Sequence, residues 1–288
     1  MWQNKNILVT GGRGMIGQEL IELLDKLGAD VRVADIKKGC DLRDFDNCLQ
    51  ACEGMDFVFH LAGVKGSPKL TNEKPADFMG PMLQFDTNMI LAAQLQGVRR
   101  FLYTSSIAVL NPETDKYPAW AKQTAEHLIE AQRIQNKGAT YVQTEYCIVR
   151  PSNVYGRFDD FSNPNAMVIT SLIGKAHSGS DTLEVWGDGS QTRDFVYAKD
   201  VAKGMMLVLE KLPTTPINLG SGYNTKISEV AEIIAKLCGK EVLYDKSKGI
   251  GAQNRPMDIT EATKLGFKVN TSIPDGLKEV IKCQTLET

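Results

Sequence analysis

The run Ile7-Leu8-Val9-Thr10-Gly11-Gly12-Arg13-Gly14-Met15-Ile16-Gly17 constrains this chain more than any other stretch. An apolar, β-like run empties into glycines at three-residue spacing, and an amphipathic segment from Glu19 to Lys26 follows. That order predicts a strand, a tight turn and a helix whose N-terminus faces a phosphate. The glycines have separate tasks: Gly11 permits the turn, Gly14 lets main-chain N–H groups approach a pyrophosphate, and Gly17 lets the helix lie close to its strand. Glycine spacing alone is a weak signal. It gains weight from a second β-like run, Val31-Arg32-Val33-Ala34, which ends on Asp35 at about the 20-residue offset where a carboxylate meets adenosine ribose hydroxyls. The competing reading, a glycine-rich turn with no ligand, does not account for the strand-helix-strand context.

Composition narrows the class. With 288 residues, 42% apolar and 24% charged, the chain is long enough for a large core or two lobes and is ordinary for a globular protein. A net charge of -2 offers no electrostatic footprint for nucleic acid or an anionic membrane surface. No apolar run approaches the roughly 18 residues of a membrane span. The first strand follows Met1 to Lys5 with no basic-then-apolar signal segment, so a cytoplasmic location is expected. The six cysteines form no C-x-x-C pair and there are three histidines, so no metal site is expected and the thiols read as reduced packing residues.

Past Asp35, the segment from Gly39 to Asp44 reads as a short strand followed by a helix that Asp44 caps, with Asp41 in reach of an adenine amino group. Met55 to Gly63 reads as a buried parallel strand ending in small residues, in which a lone His60 is more often a satisfied core histidine than a catalyst. Pro81 to Gln96 has helical spacing, Arg100 to Ser106 is the next strand, Trp120 to Lys137 a long helix, and Thr140 to Val149 another strand. Ligands in open α/β sheets bind beyond the carboxyl ends of strands, which favours Thr104, Ser105 and Ser106 for chemistry. The alternation predicts an α/β protein with a doubly wound parallel sheet. From Arg150 the loops lengthen and gain Pro, Asn and Gly, which suggests a smaller α/β lobe. The expected division is 1–150, with 196–222 returning to it, and a second lobe from 151–195 and 223–288.

Six ordered motifs carry a resemblance: T-G-G-R-G-M-I-G at Thr10 to Gly17, H-L-A-G at His60 to Gly63, Y-T-S-S at Tyr103 to Ser106, R-P-S-N-V-Y-G at Arg150 to Gly156, G-D-G-S-Q-T-R-D-F-V-Y at Gly187 to Tyr197, and R-P-M-D-I at Arg255 to Ile259. Over nearly its whole length the chain resembles the extended short-chain dehydrogenase/reductase family, in its nucleotide-sugar epimerase/dehydratase branch. The resemblance implies a Rossmann-like first domain holding NAD, with Gly11, Arg13, Gly14, Met15, Ile16, Gly17, Asp35, Asp41 and Leu42 at the dinucleotide and Leu61, Ala62 and Gly63 along its path. Lys65 resembles the lysine that several epimerases place near the pyrophosphates and nicotinamide. Asn153, Arg193 and Arg255 stand where the family holds a nucleoside-diphosphate sugar, a task suited to the planar, permanently charged arginine fork. A homodimer through the helices 81–96 and 120–137 is implied on the same ground.

Catalysis in the family rests on a Ser or Thr, a Tyr and a Lys, the last two as Y-x-x-x-K. Ser106 matches the hydroxyl, and Lys122 matches the lysine, which also meets the cofactor. The tyrosine position holds Pro118, with Tyr117 one residue earlier, and the stretch from Ser106 to here is shorter than is usual. On a helix a five-residue offset turns a side chain about 100° from a four-residue offset. Pro118 falls at or before the first helical turn, where the backbone need not follow helical geometry, which leaves Tyr117 a candidate. Ile107 and Ala108 lack the Asp-Glu pair of sugar 4,6-dehydratases, and Ile107 and Phe158 replace the Cys and His of the GDP-fucose synthase branch. What remains is oxidation and reduction at one sugar carbon, as in 4-epimerases; the alternative is a binding or regulatory protein that lost its tyrosine. Asp35 favours NAD over NADP by repelling a 2′-phosphate, whereas Arg13 pulls the other way.

Overall fold

A computed structural model describes residues 1–64, 66, 68–137, 143–161, 163, 166–248 and 256–287. The chain opens with β1 (Asn6–Thr10), α1 (Met15–Lys26) and β2 (Asp30–Ala34), followed by α2 (Phe45–Cys52), β3 (Phe57–His60), α3 (Pro68–Glu73), α4 (Pro75–Leu95) and β4 (Arg100–Thr104). It continues through α5 (Lys116–Asn136), β5 (Glu145–Pro151), β6 (Asn153–Tyr155), α6 (Val168–Ala176), β7 (Thr182–Trp186), β8 (Thr192–Arg193), β9 (Phe195–Tyr197), α7 (Ala198–Lys211) and β10 (Ile217–Leu219). The last elements are β11 (Thr225–Lys226), α8 (Ile227–Cys238), β12 (Glu241–Asp245), α9 (Thr260–Leu265) and α10 (Ile273–Glu287).

Six parallel strands form the central sheet in the order β10-β5-β4-β3-β1-β2. The order runs outward in both directions from β1 and β3, so the chain winds twice and helices cover both faces, as the β-α alternation predicts. Side-chain alternation sorts the core. Ile7, Val9, Phe57, Phe59, Leu102, Cys147 and Val149 pack on the α1 and α7 side, while Leu8, Val58, Phe101, Tyr103, Tyr146 and Ile148 pack on the α2, α4 and α5 side. A strand buried on both faces reads as a continuous apolar run, which is why these strands were legible. A separate hydrophobic cluster drawn from α6, α8, α10, β7 and β9 packs around Ile173, Leu183, Tyr197, Ile234 and Leu277. Ala262 and Phe267 lie in the core beside α7, although their segment reads from sequence as part of a second lobe.

Several local expectations change. No strand spans 39–44; a 3₁₀ turn over Ile36–Lys38 takes the chain from Asp35, and Asp44 caps α2 by accepting from the Asp46 N–H at 2.9 Å. Helix α4 begins at Pro75, not Pro81, and carries Pro81 inside it. Helix α5 begins at Lys116, four residues before Trp120, so Pro118 lies in its first turn, where the missing N–H has no helical partner to lose. Strand β5 starts at Glu145; residues 138–142, including Gly138 and Thr140, lie outside the described residues. Among the described residues no helix is long and apolar enough to cross a membrane, and no group of three or more His, Cys, Asp or Glu is placed to hold a metal.

Candidate active site

The carboxyl ends of β1, β3, β4 and β5 deliver the predicted residues to one edge of the sheet. Gly11 adopts φ +63°, and a Cβ there would stand 2.9 Å from the Ala62 main chain; Gly17 would drive one to 2.7 Å from the Gly11 carbonyl oxygen. Both positions therefore need glycine on steric grounds. Gly14 is the N-cap of α1 and supplies no side-chain acceptor, and the first turn holds no acidic residue. That helix end thus carries no side-chain cap, the arrangement that suits an anion, while Met15 is buried and Ile16 packs against the core. Asp35 accepts the Arg13 N–H and the Lys37 N–H at 2.9 Å each, which pins its carboxylate against the glycine loop. Leu42 is buried. Asp41 instead binds the Arg43 guanidinium at 2.9 and 3.0 Å, and those hydrogen bonds hold its carboxyl below the usual range. Leu61, Ala62 and Gly63 follow β3 directly, whereas Lys65 lies outside the described residues. These features fit a dinucleotide.

At the end of β4, Ser105 donates its N–H to the Val149 carbonyl at 2.8 Å, and among the described residues its buried hydroxyl and that of Thr104 have no hydrogen-bond partner. Ser106 Oγ accepts the Ala108 N–H at 3.1 Å, capping the short turn Ile107–Leu110. Its hydroxyl hydrogen therefore points elsewhere. Lys122, on the buried face of α5, sets its Nζ 4.7 Å over the Tyr103 ring and 3.4 Å from Asp86 Oδ2. Tyr117 is helical, so the five-residue offset to Lys122 has its full angular effect, and its ring meets Trp120 edge-on at 5.9 Å.

Asp86 is the residue that the motifs did not name. It sits at 1% exposure and accepts the Tyr103 O–H at 2.6 Å as well as Lys122, while its other oxygen meets His60 Nε2 at 2.9 Å. The tautomer of His60 follows from its other partner. Thr10 Oγ1 accepts the Leu61 and Ala62 N–H groups at 3.1 and 3.2 Å, so its own hydrogen goes to His60 Nδ1 at 2.7 Å. Nε2 then carries the proton and donates it to Asp86, and burial pushes the imidazole pKa down, keeping it neutral. The same burial, with Asp86 alongside, pushes the Tyr103 phenol well up. Burial works against the Asp86 charge, but the Lys122 charge and the donors of His60 and Tyr103 outweigh it and hold the carboxyl low. A sequence cue existed: Met82, Phe85, Met89, Ile90 and Ala93 mark the buried stripe of α4, and Asp86 falls inside it.

Strand β6 runs beside β9, and Asn153 Nδ2 donates to the Asp194 carbonyl at 3.1 Å. Arg193 precedes Asp194, is half-buried with a pKa lowered by that burial, and donates to the Thr192 carbonyl at 2.8 Å. The Asp194 carboxylate accepts from the N–H groups of Ser221 at 2.7 Å and of Gly222 and Met257 at 3.0 Å, and from the hydroxyls of Ser152 and Ser221 at 3.1 and 2.8 Å. Arg255, two residues before Met257, lies outside the described residues. The segment after β6 is tied to α1 by Arg157, whose guanidinium pairs bidentately with the fully buried Glu19 at 2.8 and 3.0 Å.

Known proteins match this arrangement. The GDP-L-fucose synthase of Azorhizobium caulinodans is 27% identical, with 96% of each chain aligned. The GDP-mannose 3,5-epimerase of Arabidopsis thaliana is 26% identical over 96% of this chain and 81% of its own. A solved epimerase from Methanothermobacter thermautotrophicus superposes with a TM-score of 0.86 at 25% identity, covering 99% of this chain and 94% of that one. The model of the NAD dependent epimerase/dehydratase family matches residues 7–220, and with a sheet edge built for a nicotinamide dinucleotide the chain belongs to that family of enzymes.

Proposed function

We propose that this enzyme is an NAD-dependent nucleotide-sugar epimerase or oxidoreductase that works by hydride transfer at a sugar hydroxyl carbon, of the 4-epimerase kind and not a 4,6-dehydratase. The observation that carries the reading is the end of β4, where Thr104 and Ser105 bury hydroxyls that have no hydrogen-bond partner among the described residues, Ser106 follows them, and the cationic Lys122 stands over the Tyr103 ring. Bound NAD would accept the hydride from the sugar carbon and return it. Gly14 to Gly17 would hold its pyrophosphate at the N-terminus of α1, Asp35 its adenosine ribose, and Lys122 its nicotinamide ribose. Ser106, whose oxygen already accepts from Ala108, would donate to the sugar hydroxyl and orient it. Lys122 would stabilise the alkoxide as the proton departs. With Tyr117 turned onto Trp120, that proton falls to Ser106, to water or to Tyr117 in an adjusted pose, and turnover should be slow and favoured by higher pH. Asn153, Arg193 and Arg255 would hold the sugar's diphosphate, and Lys65 would reach the pyrophosphates. A homodimer through α4 and α5 completes the proposal.

The test supplies GDP-, UDP-, dTDP- and CDP-sugars to the protein and follows cofactor absorbance and product mass. Isomerisation or cofactor reduction with one of them, lost in Lys122→Ala, is the expected result. Nucleotide-sugar binding without any turnover would replace this reading by the non-catalytic one. Calorimetry with NAD and NADP should favour NAD, and tighter NADP binding would sink the role given to Asp35.

A further inference from the structure

Side chains from three separate elements converge on Asp86. Helix α4 carries the carboxylate, β3 brings His60, β4 brings Tyr103, and α5 brings Lys122. With His60 and Tyr103 neutral, the charges that the described residues bring to the cluster are the Asp86 carboxylate and the Lys122 ammonium, which cancel. The other charged groups around Lys122 are already committed. Glu126, one turn along α5, is held by both arms of Arg150 from β5, one of them at 2.9 Å. Tyr117, on the same helix, lies against Trp120. Among the described residues Asp86 is therefore the counter-charge that Lys122 meets.

We propose that Asp86 is the positioning residue of this site: its carboxylate, not a phenol, forms the charge pair with Lys122 and fixes where that lysine stands. The proposal deepens the NAD-dependent reading and rests on it for the identity of what Lys122 touches. It also accounts for the interrupted Y-x-x-x-K. An ammonium whose field is answered by a full carboxylate has less left with which to acidify a neighbouring phenol, so in this chain a tyrosine at position 118 would gain little from Lys122.

Isothermal calorimetry with NAD tests the proposal on wild type, Asp86→Asn, Lys122→Met and the double variant, each first checked for native circular dichroism. Asp86→Asn should weaken NAD binding about tenfold, as a coupling of roughly 1.4 kcal/mol gives. The loss should grow from neutral to alkaline pH, because a buried ammonium without its partner favours the neutral form. The double variant should bind no worse than Lys122→Met, since Asp86 acts through Lys122. Wild-type affinity with a flat pH profile in Asp86→Asn, or losses that add in the double variant, would overturn the proposal. A second measurement needs neither NAD nor a folded Asp86→Asn. Lys122→Met should raise the midpoint pH of acid unfolding, because Asp86 loses the charge that keeps its carboxyl low. An unchanged midpoint overturns the pairing. A raised midpoint in a protein that binds no NAD leaves the pairing standing and removes the cofactor reading instead.

Discussion

Asp86 and Asp194 are both buried carboxylates, 1% and 0% exposed, and they are surrounded differently. Asp86 is answered by side chains on regular elements: an ammonium, a phenol and an imidazole. Asp194 is answered by main-chain N–H groups and serine hydroxyls on loops. A side-chain donor set leaves the backbone alone and fixes where functional groups point. A main-chain donor set does the reverse, because satisfying it holds Ser221, Gly222 and Met257 in one arrangement beside Asn153 and Arg193. The first carboxylate gathers the side chains of His60, Tyr103 and Lys122, and the second holds the loops that stand beside the candidate substrate contacts Asn153 and Arg193.

The sharpest way to break this contrast is Asp194→Ala, which leaves three main-chain N–H groups without their acceptor. At roughly 1–3 kcal/mol for each buried group left unsatisfied, partly relieved by water, a loss of about 4 kcal/mol is expected in urea unfolding. Asp194→Asn, which keeps one oxygen, should lose about half as much. A loss under about 1 kcal/mol would mean that the loops hold themselves.

Lys122→Met comes next, with about 3 kcal/mol lost near neutral pH, because Asp86 keeps His60 and Tyr103 but is left as an uncompensated charge. Here the pH dependence separates the two carboxylates. The Asp86 pKa is depressed in the fold, so the stability it contributes is present above the ordinary carboxylate range and is lost as pH falls through the depressed value. The difference between wild type and Lys122→Met should therefore shrink in acid, and a constant difference would mean that packing, not charge, is what the methionine disturbs. Glu19→Gln probes an intermediate case, a buried carboxylate held by one arginine that is itself partly exposed. About 1–2 kcal/mol is expected, read by the same urea titration. Smallest of all, Tyr117→Phe should change stability by less than about 0.5 kcal/mol, since its ring contact with Trp120 survives. A large loss of turnover in that variant would restore the tyrosine to the chemistry and weaken the case for Asp86.

The sheet and the glycine loop were legible because their signals are local: a buried strand is apolar on both faces, and close approach leaves Gly11 and Gly17 no side chain. Helix starts were less legible at prolines. Pro81 reads as a boundary yet sits inside α4, whereas Pro118 lies in the first turn of α5 as read, and what the sequence left open is that the helical phase of Tyr117 is already set there. The polar cluster was least legible. His60, Asp86, Tyr103 and Lys122 come from different elements, and no spacing rule links a carboxylate on one helix to a lysine on the next. Only the position of Asp86 in the apolar stripe of α4 hinted at a buried partner.

The cancellation of charge around Lys122 has a kinetic side. A compact pair of opposite charges has a field that fades within a few ångströms, well inside the roughly 8 Å over which physiological salt screens a single charge. A Lys122 paired in this way would grip an anion only on arrival and would do nothing to draw it in from solution. Capture from a distance is left to cations without so close a counter-ion, and on a chain of net charge -2 these must work locally. The rate at which an anionic ligand arrives should accordingly keep its salt dependence in Lys122→Met, while the rate at which it leaves should rise.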